Sequence, residues 1–290
     1  AYHIGFVIGP CLNAGGRLDT AKRALELLRA SSRREADMLA GDLKALNDSR
    51  KEMTQAGVEE AVKKGETTAL QKDKVLVIFL PDCHESLAGI IAGRIRERYH
   101  KPVFILTKAE QGAKGSGRSI ENYDMYEEMS KCKALFTKFG GHKMAAGLSL
   151  PEENIEVFRR QMNEKTVLTQ EDFCEKVSID MQMPLQYVTE ELVEELELLE
   201  PFGKGNTKPV FVEKDMLVLN SRILGKNQNV LKMQVKDLGG TVMDAIYFGE
   251  AQECLEKIRR AGGKITATYY PSINEFRGQK TLQIVIQNYR

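Results

Sequence analysis

Apolar residues in the first third of the chain recur at helical spacing. Ala21, Ala24, Leu25, Leu27 and Leu28 form one stripe after Asp19. Ala36, Leu39, Ala40, Leu43, Leu46, Met53, Ala56 and Val58 form a second, on a helix predicted from about 33 to 64 that Ser31 or Ser32 can cap. That length exceeds an ordinary globular helix and suits a connector between domains. VLVIFL (75–80) and PVFIL (102–106) are continuous apolar runs of buried-strand length, with a helical pattern between them from about 87 to 99. Strand, helix and strand in that order predict an α/β domain. Further helices are predicted over about 124–136 and over 151–164, the second with Pro151 in its first turn. The opening residues, AYHIGFVIGP, read as the middle of a strand and a loop, as in a piece of a longer protein.

From Val177 the period changes. VSIDMQM alternates like a strand, and Thr189 precedes the acidic amphipathic helix EELVEELELL as its cap. PFGKGNTKP (201–209) is a loop. Strand-like runs follow at 210–223, 229–238, 241–248, 263–271 and 280–289. Five or six short strands with one internal helix predict a small β-barrel of the OB type.

The net charge of +1 conceals an asymmetry. Residues 84–150 hold 11 Lys and Arg against 7 Asp and Glu; residues 151–200 hold 4 against 14; residues 201–290 hold 14 against 8. Two basic regions flank an acidic one, which permits a polyanionic ligand, although ordinary solvated faces read equally well. Cys11, Cys83, Cys132, Cys174 and Cys254 lie far apart without a CxxC pair, so neither a zinc site nor a disulfide framework is expected. No apolar run reaches membrane-spanning length.

Three segments carry candidate chemistry. GSGRS (115–119) reads as a glycine-rich loop in which Ser116 and Ser119 offer hydroxyls and Arg118 a planar fork for phosphate; a plain surface turn is the competing reading. FGGHKMAAG (139–147) fits a tight turn, with Gly141 allowing close approach and His142 placed to donate to a phosphate or to be satisfied by its own loop. In GPCLNAGGRLD (9–19), Asn13 and Arg17 can reach a phosphate, or the segment simply packs a helix start. Arg94 lies on a helix that begins just after His84, Glu85 and Ser86. HExxH, a Walker loop and a dense carboxylate cluster are all absent from the sequence.

The order of segments adds to these separate readings. GPCLNAGGRLD, a long helix, VLVIFLPDCHESLAGIIAGRIRERY, GSGRS, FGGHKMAAGLSL and LEPFGKGN before a β-rich tail resemble the RecJ family of the DHH phosphoesterase superfamily over almost the whole chain. CHESLAG departs from the WHPGV-like form of many members, which leaves the contact of His84 open. The resemblance implies an α/β fold: the tail of a DHH domain (1–30), a connecting helix (31–70), a DHH-associated domain (71–166) and an OB-fold barrel (167–290).

It also implies the C-terminal part of a 5′→3′ single-stranded-DNA exonuclease of repair and recombination, with Mn²⁺ or Mg²⁺ in the parent enzyme. The metal-binding Asp-His-His run does not occur in this sequence, so no metal is expected on this chain and hydrolysis by it alone is not expected. By the same resemblance Ser116 and Arg118, then Arg94 and Arg17, contact the 5′-phosphate, with Asn13 and Gly141 beside them. His142, the catalytic candidate, would face the scissile phosphate and the metal centre. Arg222 and Lys226 are candidates for contacts to the DNA backbone on the barrel, and Tyr247, Phe248, Tyr269, Tyr270 and Phe276 are candidates to stack bases, a core position being the favoured reading of each. Implied partners are single-stranded DNA and repair and recombination proteins, not a membrane, and the implied location is the cytoplasm. Two other readings stand beside this one: a related DHH phosphodiesterase acting on oligonucleotides, which would lack the barrel, and a nucleic-acid-binding module without catalysis.

Overall fold

A computed structural model describes residues 2–67, 69–174, 176–276 and 278–290. The chain divides into two compact units, Ala1–Glu175 and Lys176–Arg290.

The first unit opens with helices. A π-helical stretch, His3–Ile8, runs into α1 (Gly9–Leu18), followed by α2 (Lys22–Arg29) and α3 (Arg33–Thr67). The strand-and-loop reading of the opening residues is thereby corrected. Pro10 falls at the junction where the π-helical stretch passes into α1. Gly15 is used for packing: a Cβ there would lie 3.2 Å from Leu43 Cδ2 of α3. The long helix forms as expected, and the Ser32 hydroxyl accepts from the Glu35 N–H at its start (3.3 Å).

An α/β sheet follows, built from β1 (Leu76–Phe79), α4 (Ala88–Tyr99), β2 (Val103–Lys108), β3 (Ala113–Arg118), α5 (Met125–Ser130), β4 (Lys138–His142), β5 (Ala145–Leu150) and α6 (Ile155–Lys165). The strand order is β1-β2-β3-β5-β4, with β1 and β2 parallel and the other neighbours antiparallel. One face packs Val103 and Ile105 against Ile91 and Ile95 of α4 and Ala61 of α3. The opposite face packs Phe104 and Leu106 against Met125 and Met129 of α5 and Phe158 and Met162 of α6. The helix expected over 124–136 stops at Ser130; Phe136 instead turns edge-on to Phe158, with ring centroids 5.2 Å apart.

The larger correction concerns GSGRS. The segment is not a loop but most of β3, which lies between β2 and β5. Along it Ala113, Gly115 and Gly117 are buried, while Lys114, Ser116 and Arg118 alternate to the other face. The glycines are there because the neighbours fill the space. A Cβ on Gly117 would lie 2.6 Å from Phe104 Cε1 and collide with Met125 Sδ; one on Gly115 would collide with the Ile105 carbonyl oxygen.

The second unit contains β6 (Met181–Gln182), α7 (Glu190–Glu197), β7 (Phe211–Leu224), β8 (Val230–Lys236), β9 (Val242–Phe248), α8 (Ala251–Arg260), β10 (Lys264–Phe276) and β11 (Gln279–Tyr289). VSIDMQM contributes only the two residues of β6, and Val177 and Ile179 are exposed. Thr189 caps α7 as expected, accepting from the Leu192 N–H (3.2 Å). The pairings run β7–β8–β9–β11–β10 and return from β10 to β7 through Lys264↔Leu217 to Tyr269↔Phe211. Within this ring each of the five long strands has two neighbours, β7 pairing with β6 as well, and the ring closes around Met216, Leu231, Met233, Val235, Ala245 and Ile286. A closed five-stranded ring with a helix between its third and fourth strands is the OB topology.

The barrel buries one poorly matched group. Glu213 on β7 is 5% exposed, and its Oε2 has no hydrogen-bond partner. Burial raises its pKa and the nearby Asp237 adds to the rise, while the Lys214 backbone N–H opposes it. The folded state thus holds this proton more tightly than the unfolded chain. Its contribution to stability falls as pH rises from the ordinary 4.5 through the raised folded value.

Two predictions follow from the packing. Gly117→Val overfills β3 and destabilises the first unit by about 1–3 kcal/mol, read by urea unfolding; an unchanged midpoint contradicts the tight contact with Phe104. Glu213→Gln melts above the parent chain at neutral pH, by on the order of 1 kcal/mol, and the gap closes on acidification. A gap independent of pH would mean that the carboxylate is not the strained group.

Candidate nucleic-acid interface

The strand register sets small and basic residues in lines across one face of the first unit's sheet. From β4 through β5 to β3 the lines are Lys138–Ser149–Lys114, Gly140–Gly147–Ser116 and His142–Ala145–Arg118. Being two residues apart, they share a face. Each line continues onto β2, where Ile105 and Val103 are buried with the residues of α4. Over β4 and β5 the backbone is bare: a Cβ on Gly140 would meet nothing within 4 Å, and one on Gly147 only the Gly115 carbonyl oxygen at 3.9 Å. Exposed backbone beside fixed side chains allows a close approach by a ligand.

Arg118 stands at the edge of this platform, half-buried. Its Nη1 donates to the Gly117 carbonyl (2.8 Å), and its guanidinium lies over Gly89 at the start of α4, where a Cβ would come within 2.8 Å of Nη2. Arg17 reaches the same helix start from α1, donating through Nη1 to the Ser86 carbonyl (3.0 Å). His84 Nδ1 caps that turn, accepting from the Ser86 N–H (3.3 Å), so His84 organises the loop. Asn13 is exposed on α1 one turn before Arg17, which places both on one helix face. Arg94 is exposed on α4 and donates to Gln55 Oε1 of α3 (3.4 Å).

Burial lowers the pKa of Arg118, and the charge of Arg17 adds to the effect. Burial likewise lowers that of Arg50 on α3, assisted by Arg17 and Arg94. Among the described residues no Asp or Glu forms an ion pair with any of these four arginines, whereas Lys114 on the same sheet face is paired with Glu85 (3.0 Å). Like charges gathered without a counter-charge favour an anionic ligand.

Other candidates fall elsewhere. His142 is exposed at the last position of β4, and its Nδ1 accepts from the Met144 N–H (3.2 Å), so Nε2 carries the proton. Gly141 belongs to the opposite line, where a Cβ would lie 2.6 Å from Ala146 Cα. Its lack of a side chain serves the hairpin. Ser119 is buried and donates to the Tyr123 carbonyl (2.6 Å), so its hydroxyl is not offered to a ligand.

Within the barrel, Arg222 is exposed near the end of β7, and Lys226 is exposed in the loop that follows. Of the candidate aromatics, Tyr269 is fully buried with its hydroxyl on the Met183 carbonyl (2.5 Å). Tyr270 lies under Lys208, 3.5 Å from its Nζ, and Tyr247 packs edge-on to Tyr289. The side chain of Phe276 lies outside the described residues. Phe248 is 58% exposed and pairs across with Val230, just beyond the loop that carries Lys226.

Sequence reasoning missed Arg50. Its local context, NDSRKE, is that of any polar helix face; only the packing of α3 against α1 and α4 sets it among the other arginines.

A family model described as the DHHA1 domain matches residues 72–167, and one described as the RecJ OB domain matches residues 179–288. The chain is a DHHA1 domain joined to an OB domain. The single-stranded-DNA-specific exonuclease RecJ of Bacillus subtilis is 32% identical over 98% of this chain and 36% of its own length. The Escherichia coli protein of the same name is 34% identical over 99% of this chain and 51% of its own. The crystal structure of RecJ from Thermus thermophilus in complex with Mg²⁺ superposes with a TM-score of 0.82 at 25% identity, over 99% of this chain and 43% of that one. The chain belongs to the RecJ family, and it spans between 36% and 51% of the length of these curated relatives. Among the described residues no three His, Cys, Asp or Glu side chains gather as a metal site, so the donors present do not fit the divalent ion of the related structure.

Proposed function

We propose that this chain is the DNA-holding part of a 5′→3′ single-stranded-DNA exonuclease, and that it binds the strand and its 5′-terminal phosphate. The observation that carries this reading is the bare platform of Gly140, Gly147 and Ser116 next to Arg118 and Arg17, whose charges have no acidic partner among the described residues. Arg118 offers the phosphate two parallel N–H donors, Ser116 a hydroxyl and Arg17 a second guanidinium. Asn13 and Arg94 extend the polar rim. His142, at the far end of the same line as Arg118, would face the scissile phosphate with a protonated Nε2. On the barrel, Arg222 and Lys226 would take backbone phosphates while Phe248 stacks a base.

In the whole protein Mg²⁺ or Mn²⁺ would supply the hydrolytic chemistry. The role of this chain is to bind and position. Such a protein would work in the cytoplasm, with repair and recombination proteins as partners; no helix among the described residues is long and apolar enough to cross a membrane. The closed barrel favours this reading over an oligonucleotide phosphodiesterase without one.

Fluorescence anisotropy tests the proposal with oligonucleotides carrying a 5′-phosphate or a 5′-hydroxyl. The phosphorylated strand is expected to bind more tightly, and Arg118→Ala to remove about tenfold of that preference. Binding of both should weaken with salt, by a logarithmic slope of about 0.7 per phosphate contacted. Equal binding of both strands would assign the affinity to the barrel alone, and nucleotide release by this chain would contradict a purely binding role.

A further inference from the structure

Arg50 is not among the residues assigned above, and its setting is unusual for a helix-surface arginine. It lies on α3 midway between two close helix contacts. Seven residues before it, Leu43 meets Gly15 of α1; seven residues after it, Gly57 meets Ile91 of α4, where a Cβ would lie 2.5 Å from Ile91 Cδ1. Two turns in either direction bring a helix back to the same face, so Arg50 lies on the face of α3 that packs against α1 and α4.

Its guanidinium is held in place. Asn47, only 4% exposed, accepts from Arg50 Nε (3.1 Å) and Nη2 (3.0 Å) through Oδ1. The backbone beneath is pinned by Thr54, fully buried, whose hydroxyl donates to the Arg50 carbonyl (2.7 Å). A neutral amide orients the fork without cancelling its charge, and it engages two of the five N–H donors. Arg17 is near enough to act on both Arg118 and Arg50, and Arg94 acts on Arg50 as well. The four charges are therefore linked in turn, Arg118 to Arg17 and both Arg17 and Arg94 to Arg50, on side chains from β3, α1, α3 and α4.

We propose that Arg50, oriented by Asn47, binds a phosphate of the DNA strand other than the 5′-terminal one held at Arg118, so that the face reads two successive phosphates. This rests on the reading of Arg118 and Arg17 as the terminal-phosphate site. It makes Arg50 a binding residue and Asn47 a positioning residue. It also gives the connector helix a part in holding substrate.

The test compares two ligands by isothermal titration calorimetry: a 5′-phosphorylated hexathymidylate, and thymidine 5′-monophosphate, which has one phosphate only. Arg50→Ala is expected to weaken the hexanucleotide about tenfold and leave the mononucleotide unchanged. Arg118→Ala is expected to weaken both. Asn47→Asp guards against a folding defect: it pairs Arg50 with a carboxylate, so it should retain or raise the melting temperature while weakening the hexanucleotide. Full hexanucleotide affinity in Arg50→Ala and Asn47→Asp overturns the inference, and an equal loss for both ligands in Arg50→Ala overturns the assignment to a second phosphate. If Arg118→Ala also binds both ligands normally, the terminal-phosphate reading fails as well.

Discussion

There is no room for a side chain between β3 and the aromatic core beneath it. Phe104 and Met125 occupy the space where a Cβ on Gly117 would sit, and the backbone and side chains of β2 close over Gly115. This constraint pulls a glycine-rich segment into the middle of a sheet and makes it rigid. Ser116 and Arg118 alternate with those glycines, so both point to the opposite face from a strand paired on either side. A phosphate-binding group mounted in this way is held by the sheet ladder itself and needs no loop to close.

The second theme is charge without compensation. Several basic side chains among the described residues pair with a nearby carboxylate, as Arg159 does with Asp73 (2.6 Å). The arginines around the platform do not. They lean on neutral acceptors instead: the carbonyls of Ser86 and Gly117, the amide of Asn47 and that of Gln55. Such partners fix geometry and leave the positive potential intact. Crowding these groups disfavours the free protein, and an arriving anion relieves the repulsion, which ties the instability of the site to its proposed work.

Much of the fold was legible because hydrophobic period is a local property. The continuous apolar runs became β1 and β2, the long amphipathic stretch became α3, and the alternating runs after residue 210 became the barrel strands. What was not legible depends on distant neighbours. GSGRS looks like a loop until Phe104 and Met125 are seen beneath it, and the packing use of Gly15 in GPCLNAGG shows only once it is found against Leu43. The residues that carry the candidate site were mostly visible as types, since arginine, serine and histidine beside glycines suggest phosphate chemistry. Their grouping was not visible, because Arg17, Arg50, Arg94 and Arg118 are brought together by three helices and a strand. The opposite error occurred at Ser119, where a chemically apt side chain proved to be buried and bonded to a backbone carbonyl, while Tyr269 took the core position that is the usual place of such an aromatic.

The most direct test of the account is a crystal structure of this chain with a 5′-phosphorylated trinucleotide. The terminal phosphate is expected between Arg118 and Arg17, beside Ser116 and above the bare backbone of Gly147. Density for the trinucleotide on the barrel alone, with nothing over that face, would contradict it.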